Sequence, residues 1–429
     1  MARGREYAYG IGKTIQERGT GMNTPKAQPS ERNLLRTLLR MIAICGEVPR
    51  SDTSWIGDTS AVKVMLSRYK GIIRVSGAGN RMRMKQETGN STKADINVKT
   101  IRGSVLKQQD GAPAILSELE NIDPRAREMW EDNFQGNKLS GSIERIYRNH
   151  KTARTLILAD AAGIKIEPWS RPYLPGGGEI IDNQFYTTRE VRLCIEKTMQ
   201  KEFKAVQTIG FLTYPDKSYM TYFFFALPAK RNEEPESRMR FVFEELEQDR
   251  RKKDPAAPTR LACKDVLLII QSDQVGFDYL KNEKEERPWF SKSIRDVHCV
   301  PNSADGIKLL QIWKHKNWED KIAEKLFEPE MRVKGSRDLH ARIGDTHGTL
   351  WFDGNLSLLK TIRKNAKDNP DKKFALFCFE CQAEFLKQSG YFSKLKNVVF
   401  TATSFEVCEL MISYEQGEEK LHGSTTAID

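Results

Sequence analysis

The chain has 429 residues, with 69 Lys+Arg against 58 Asp+Glu, a formal net charge of +11, 39% hydrophobic residues and 30% charged ones. That length has room for two or three domains with a sizeable core, and 20 Phe with 7 Trp exclude wholesale disorder. No apolar run reaches the ~18 residues of a membrane span, and the opening Met1 to Glu6 is not followed by the apolar stretch of a secretory signal.

The charge is unevenly placed. Residues 1–112 hold 20 Lys+Arg and 9 Asp+Glu, a surplus of 11, and the remaining 317 residues are balanced. A basic segment on a neutral body is the pattern of a polyanion-binding arm or face.

In chain order, residues 1–30 mix Gly, Arg, Lys, Thr and Pro without apolar periodicity and read as a flexible basic arm. Ser30 caps an apolar-periodic run, Leu34, Leu35, Leu38, Leu39 and Ile42, which predicts a helix ending near Gly46. A second helix is expected from Thr59 to Ile73, followed by a long exposed excursion over 76–112. Asp123-Pro124 is an N-cap with Pro at the first helical position, leading a helix through Trp130. Another starts at Ser140 or Ser142, buries Ile143, Ile146, Tyr147, Leu156 and Ile157, and ends at Gly163. The Pro/Gly-rich stretch 168–178 marks a domain boundary.

Beyond it the pattern predicts a helix from Thr187 to Val206 and an aromatic strand from Tyr219 to Leu227. A short helix around 240–251 and a strand at Val266–Ile270 follow. From Gly348 strands at 349–352, 374–379 and 398–402 alternate with helices at 355–368, 381–395 and 405–414, the signature of a small parallel layer. The expected fold is α+β: a basic arm (1–30), a mainly helical basic nucleic-acid-binding domain (31–175), a mixed α+β domain (176–347) and a small α/β region (348–429).

The strongest chemical signal is the acid-free stretch between Asp58 and Glu87, holding Lys63, Arg68, Lys70, Arg74, Arg81, Arg83 and Lys85. Seven cations without an acid gain free energy by displacing counterions from a phosphate backbone. A second set, Arg145, Arg148, Lys151 and Arg154, recurs every three residues on one predicted helix and reads as a cationic stripe, with Arg171 extending the surface. Tyr69, Tyr147 and Trp169 are candidate stacking surfaces for bases. Against this stands an ordinary solvated face paired with distant acids.

Other constellations are weaker. Cys378 and Cys381 have C-x-x-C spacing, with His340 and His347 nearest in sequence, but read as buried thiols at a strand–helix junction rather than a zinc site. Seven cysteines, an odd number, imply reduced thiols and an intracellular protein of the cytoplasm or nucleus. Glu244, Glu245, Glu247 and Asp249 with Lys252 and Lys253 imitate a nuclease set but fall in a helix-like run, whereas such sites place carboxylates on adjacent strands. His298-Cys299 points to opposite faces of a strand, and Gly176 to Gly178 lacks a phosphate-loop context. The strand ends near Asp353-Gly354, Glu380 and Thr401–Ser404 are a possible nucleotide site by fold analogy. No metal or cofactor is expected.

The rhythm from Leu34 through Cys45 to Met65-Leu66, and the order Arg127, Met129, Trp130, Arg154, Ile164, Pro168, Leu174, Pro175, Gly176, are similar to nucleoproteins of segmented negative-strand RNA viruses, the orthomyxovirus kind. The resemblance covers about residues 31–178. It implies an RNA-coating protein with a basic groove that self-associates through an exchanged arm or loop, meets a viral polymerase and enters the virion. The strand–helix alternation after residue 348 departs from that largely helical pattern. The expected function is therefore non-catalytic, sequence-tolerant binding of single-stranded RNA with self-association. The alternatives are a metal-dependent nuclease-like enzyme and a viral structural or scaffold protein whose basic arm contacts the genome.

Overall fold

The computed structural model describes residues 31–76, 82–83, 95–96, 100–103, 112–134, 143–170, 182–193, 207–215, 217–227, 233–253, 255, 264–284, 290 and 294–413. Within these the chain is α+β. Helix α1 (Glu31–Cys45) buries Leu34, Leu35, Leu38, Leu39 and Ile42, the stripe its periodicity demands, and adds Met41, Ala43, Ile44 and Cys45. Burial widens because later helices wrap it. Gly46, at φ +84, ends it by donating to Ile42 O (2.8 Å). Strand β1 (Glu47–Pro49) follows, then a 3-10 turn over Arg50–Trp55.

Helix α2 (Thr59–Arg68) starts where Asp58 accepts from the amides of Ser60 (2.8 Å) and Ala61 (3.1 Å). It stops five residues short of the expected end. A turn over 69–72 containing Gly71 interrupts it, and the β-branched run beyond becomes strand β2 (Ile73–Ser76). The expected exposed excursion is also partly sheet. Strands β3 (Met82–Arg83) and β4 (Asp95–Ile96) pair with each other, and β5 (Thr100–Gly103) lies between β1 and β2, antiparallel to both.

Helices α3 (Ala112–Ile122), α4 (Pro124–Phe134) and α5 (Ile143–Ala161) complete the helical layer around α1. As expected, Asp123 caps α4, accepting from the Arg125 amide (2.8 Å), and Gly163 (φ +73) lies just beyond α5.

Strand β6 (Gln184–Thr187) and helix α6 (Thr188–Leu193) meet at a capping box. The Thr187 amide donates to Glu190 Oε2 (2.7 Å), and the Glu190 amide to Thr187 Oγ1 (3.2 Å). The rest of the helix expected to Val206 lies outside the described residues. Strands β7 (Thr208–Thr213) and β8 (Ser218–Phe224) continue an antiparallel meander. Helix α7 (Glu233–Lys253) then crosses to β9 (Asp265–Ile270), and helix α8 (Asp273–Lys284) to β10 (Asp296–Pro301). The sheet order is β10-β9-β8-β7-β6, with β8, β9 and β10 parallel.

Helices α9 (Ala304–Trp313) and α10 (Trp318–Leu326) lead to a second sheet of β11 (Ala341–Ile343), β12 (Thr346–Leu350), β13 (Lys373–Phe379) and β14 (Val398–Thr403), in that order. Its last three strands are parallel, joined by α11 (Leu356–Asp368) and α12 (Glu380–Ser389), and α13 (Phe405–Ser413) follows. These elements match the expected alternation. α12 ends early because Gly390 adopts φ +60.

The five-stranded sheet is covered on both faces, which is why β9 reads as a continuous apolar run, whereas edge strand β14 of the second sheet leaves Val399 exposed. Tyr219, Phe223, Leu267, Ile269, Val300, Phe352 and Phe379 join one core with α1 and α5. Met220, Tyr222, Phe224, Val266, Leu268, Leu376 and Cys378 join a second with α8 and α11. The first core runs from Leu34 to Ile412 and so crosses the boundaries expected at residues 175 and 347. No helix among the described residues is long and apolar enough to cross a membrane.

Candidate functional site

Of the acid-free window, Lys63 and Lys70 are exposed on α2 and the turn after it. Arg68 is exposed and ion-paired with Glu31 of α1. Tyr69 is half-buried against the core. Arg74 stands opposite Arg102 in the β2–β5 register, and Arg83 opposite Asp95 in the β3–β4 register. Arg81, Lys85 and Arg171 lie outside the described residues.

The α5 set is not one stripe. A helix turns 100° per residue, so each step of three falls back about 60°, and three steps place Arg154 on the face opposite Arg145. Accordingly Arg145 is exposed, Arg148 and Lys151 are half-buried and Arg154 is buried. Arg154 Nε donates to Asp52 Oδ2, Nη2 to Asp52 Oδ1 (3.1 Å), and Nη1 to Gln271 Oε1 (2.8 Å). Its guanidinium also lies 4.7 Å from the Phe225 ring centroid. This arginine ties the helical layer to the sheet and does not face phosphate.

Lys151 Nζ lies 5.5 Å from the Phe224 ring centroid, and burial, helped by Arg148, brings its pKa down to about 8. Neighbouring His150 is fully buried, and burial together with Arg154 lowers its pKa to about 3. Two stacking expectations are also overturned. Tyr147 is buried edge-on to Phe225 (4.9 Å between centroids), and Trp169 is buried in the core, so neither offers a face to a base.

Sequence reasoning missed Arg32 and Arg36, exposed on α1. Arg36 lines a groove of about 270 Å³ with Asn33, Thr37 and Asn121. Their signal was available: both fall on the polar side of the α1 stripe.

A second set lies where the sheets meet. The segment after β12 crosses the start of β10, with the Cys299 amide donating to Gly354 O (2.9 Å) and His298 bridging Asn355. Gly354 has φ +62, and a Cβ there would stand 2.5 Å from Cys299 O, so the crossing requires glycine. Asp265 and Asp296 stand opposite each other at the starts of β9 and β10, and His298 points to the same face as Asp296. Ligand atoms of the three lie within 4.8 Å of one another.

Both carboxylates are already engaged. Arg295 holds Asp265 with two bonds (3.0 and 2.5 Å), while Arg337 and Asn355 Nδ2 (2.8 Å) hold Asp296. A divalent ion would have to displace both guanidiniums, so these residues do not fit a resident metal.

Beside them His298 Nδ1 is 3.2 Å from Asp353 Oδ2, and Lys217 Nζ is 3.2 Å from Glu319 Oε1 and 3.7 Å from Asp353 Oδ2. Burial disfavours charge on His298, yet the Asp353 carboxylate overrides it and raises the imidazole pKa. Burial alone would raise Asp353, but His298, Lys217 and the Asn355 amide hold it well below the usual carboxylate range. Burial raises Glu319 despite Lys217. The arrangement can hold a proton between His298 and Asp353, while Cys299 points to the other face of its strand, as expected.

Glu244 and Glu245 are exposed on α7, so the imitation nuclease set is helical, as its sequence suggested. Cys378 is the penultimate residue of β13 and Cys381 lies in the first turn of α12. Burial pushes both thiols up to about 12 and keeps them protonated. Comparison with family models, curated proteins and solved structures finds no match to this chain.

Proposed function

We propose that the chain is a non-catalytic, sequence-tolerant RNA-binding protein that self-associates along its ligand, of the viral nucleocapsid kind. The observation that carries this reading is the acid-free window, whose Lys63, Arg68 and Lys70 are exposed on one helix and the turn after it, on a chain balanced in charge beyond residue 112. Arg145, together with Arg32 and Arg36 on α1, adds exposed cations to the same helical layer. Such a surface gains affinity from counterion release and is indifferent to base sequence.

Anisotropy of a labelled oligouridylate, repeated across salt, tests it alongside size-exclusion chromatography with an absorbance ratio. Binding that weakens steeply with salt, and multimers carrying RNA, are expected. A clean monomer that binds no RNA would sink the reading. Manganese-dependent RNA cleavage lost in Asp296→Asn would favour the nuclease instead.

A further inference from the structure

The carboxyl ends of the parallel strands in both sheets open onto one cleft. Ile270 ends β9, Pro301 ends β10, and α12 begins where β13 ends. Between them lies a cavity of about 410 Å³, within the range of small-ligand sites. Crevices at the carboxyl ends of parallel strands, between two α/β units, are where such folds place ligands. The floor is apolar, with Leu309 and Trp351 buried beneath it and the half-buried Phe385 offering a ring for contact.

The rim is polar and its orientation is fixed from below. Gln271 Oε1 accepts from Arg154 (2.8 Å) and from Asn302 Nδ2 (3.2 Å). That leaves the Gln271 NH2 as a donor and the Asn302 carbonyl as an acceptor on the rim, the two kinds of group a nucleobase edge pairs with. Two carboxylates, Asp273 and Asp305, also line the cavity. Burial and then the charge of Asp305 raise the Asp273 pKa, so the two sense each other. Among the described residues no Lys or Arg lines the cavity, and the Arg154 guanidinium behind Gln271 is held by Asp52. The first turns of α8 and α9 are answered by these same aspartates. A phosphate would meet two carboxylates and, among the described lining residues, no cation, whereas ribose hydroxyls would find acceptors.

We propose that this cleft binds an unphosphorylated nucleoside, with the base on Phe385, its edge toward Gln271 and Asn302, and the ribose hydroxyls on Asp273 and Asp305. Arg154 then acts as a positioning residue for Gln271. Occupancy of the cleft does not depend on RNA binding by the helical layer.

Calorimetric titration of the full chain with adenosine, guanosine, cytidine and uridine, each beside its 5′-monophosphate, tests the assignment. At least one nucleoside should bind with a Kd below about 1 mM, and its monophosphate about tenfold more weakly. The double variant Asp273→Asn with Asp305→Asn should close that gap, because both rim charges are lost. Ser272→Trp, at an exposed rim position, should abolish uptake with an unchanged circular dichroism spectrum. The proposal falls if no nucleoside binds at millimolar concentration, if the monophosphate binds as tightly as the nucleoside, or if a folded Ser272→Trp variant binds normally. Steep salt-dependent RNA binding without nucleoside uptake would remove the cleft assignment and leave the RNA reading standing.

Discussion

Arg154 separates a structural cation from a phosphate contact. Replacing it with Met keeps the aliphatic stem but strands Asp52, which is 8% exposed, without its guanidinium partner. Removing one member of a buried ion pair typically costs about 3–5 kcal/mol, because the remaining charge stays desolvated. Loss of the contact over Phe225 adds about 1 kcal/mol, and the Gln271 amide loses a donor. Arg154→Met should therefore lower the urea midpoint sharply, by the equivalent of about 4 kcal/mol, while leaving the slope of log affinity for RNA against log salt unchanged. Adding Asp52→Asn should recover much of the loss, since the stranded charge is then gone. Measuring unfolding and RNA binding on the same preparations is decisive. A variant as stable as the parent that loses RNA affinity, with a salt slope lower by about 0.7, would show that Arg154 contacts phosphate and that its buried placement is wrong.

The double reversal Lys63→Glu with Lys70→Glu should weaken oligouridylate binding and lower the salt slope by about 1.4 without changing the unfolding midpoint, because both side chains are exposed. An unchanged slope would move the RNA elsewhere. His150 gives a pH test. Its folded pKa of about 3 lies below the unfolded 6.5, so the stability tied to its neutral form is complete above pH 6.5 and falls as pH drops, by about 2 kcal/mol at pH 5. His150→Leu should remove that component from a urea series between pH 7.5 and 5, and an identical pH profile would refute the link. Asp353→Asn should strip His298 of the carboxylate that raises its pKa, moving the imidazole titration seen by NMR downward, and should cost about 3–5 kcal/mol of stability. If His298 titrates unchanged, the contact is not made in solution.

Local signals made the outer parts of the fold legible. The α1 stripe, the Asp123-Pro124 start of α4, the Gly163 end of α5 and the alternation after residue 348 each depend on neighbours within a turn or a strand. The errors arise where partners are distant. The α2 helix gives way to β2 because β5, about 27 residues on, offers it a ladder, which no periodicity near Ile73 announces. Arg154 looked like a surface cation because its partners, Asp52 and Gln271, are 102 and 117 positions away. The seam is illegible for the same reason. Lys217, Asp265, Asp296 with His298, Glu319 and Asp353 come from five separate places in the chain and share little in sequence but charge.

The uneven charge acquires a physical meaning from these pairings. Beyond residue 112 cations and acids are equal in number, and the structure spends many of them on each other: Arg295 on Asp265, Arg337 on Asp296, Lys217 on Glu319, Lys308 on Glu406 and Lys360 on Glu283. Balance there comes from matching across the fold, so a cation in that part is a poor guide to a polyanion. The window from 59 to 86 holds no acid, and among the described residues its exposed Arg68 pairs with Glu31, while Lys63 and Lys70 are exposed. Because exposed pairs contribute only about 0–1 kcal/mol, even Arg68 can exchange Glu31 for a phosphate at little cost. On the proposed reading, a nucleic-acid contact is marked by the supply of nearby acids more than by the count of basic residues, and along the sequence that supply is lowest between Asp58 and Glu87.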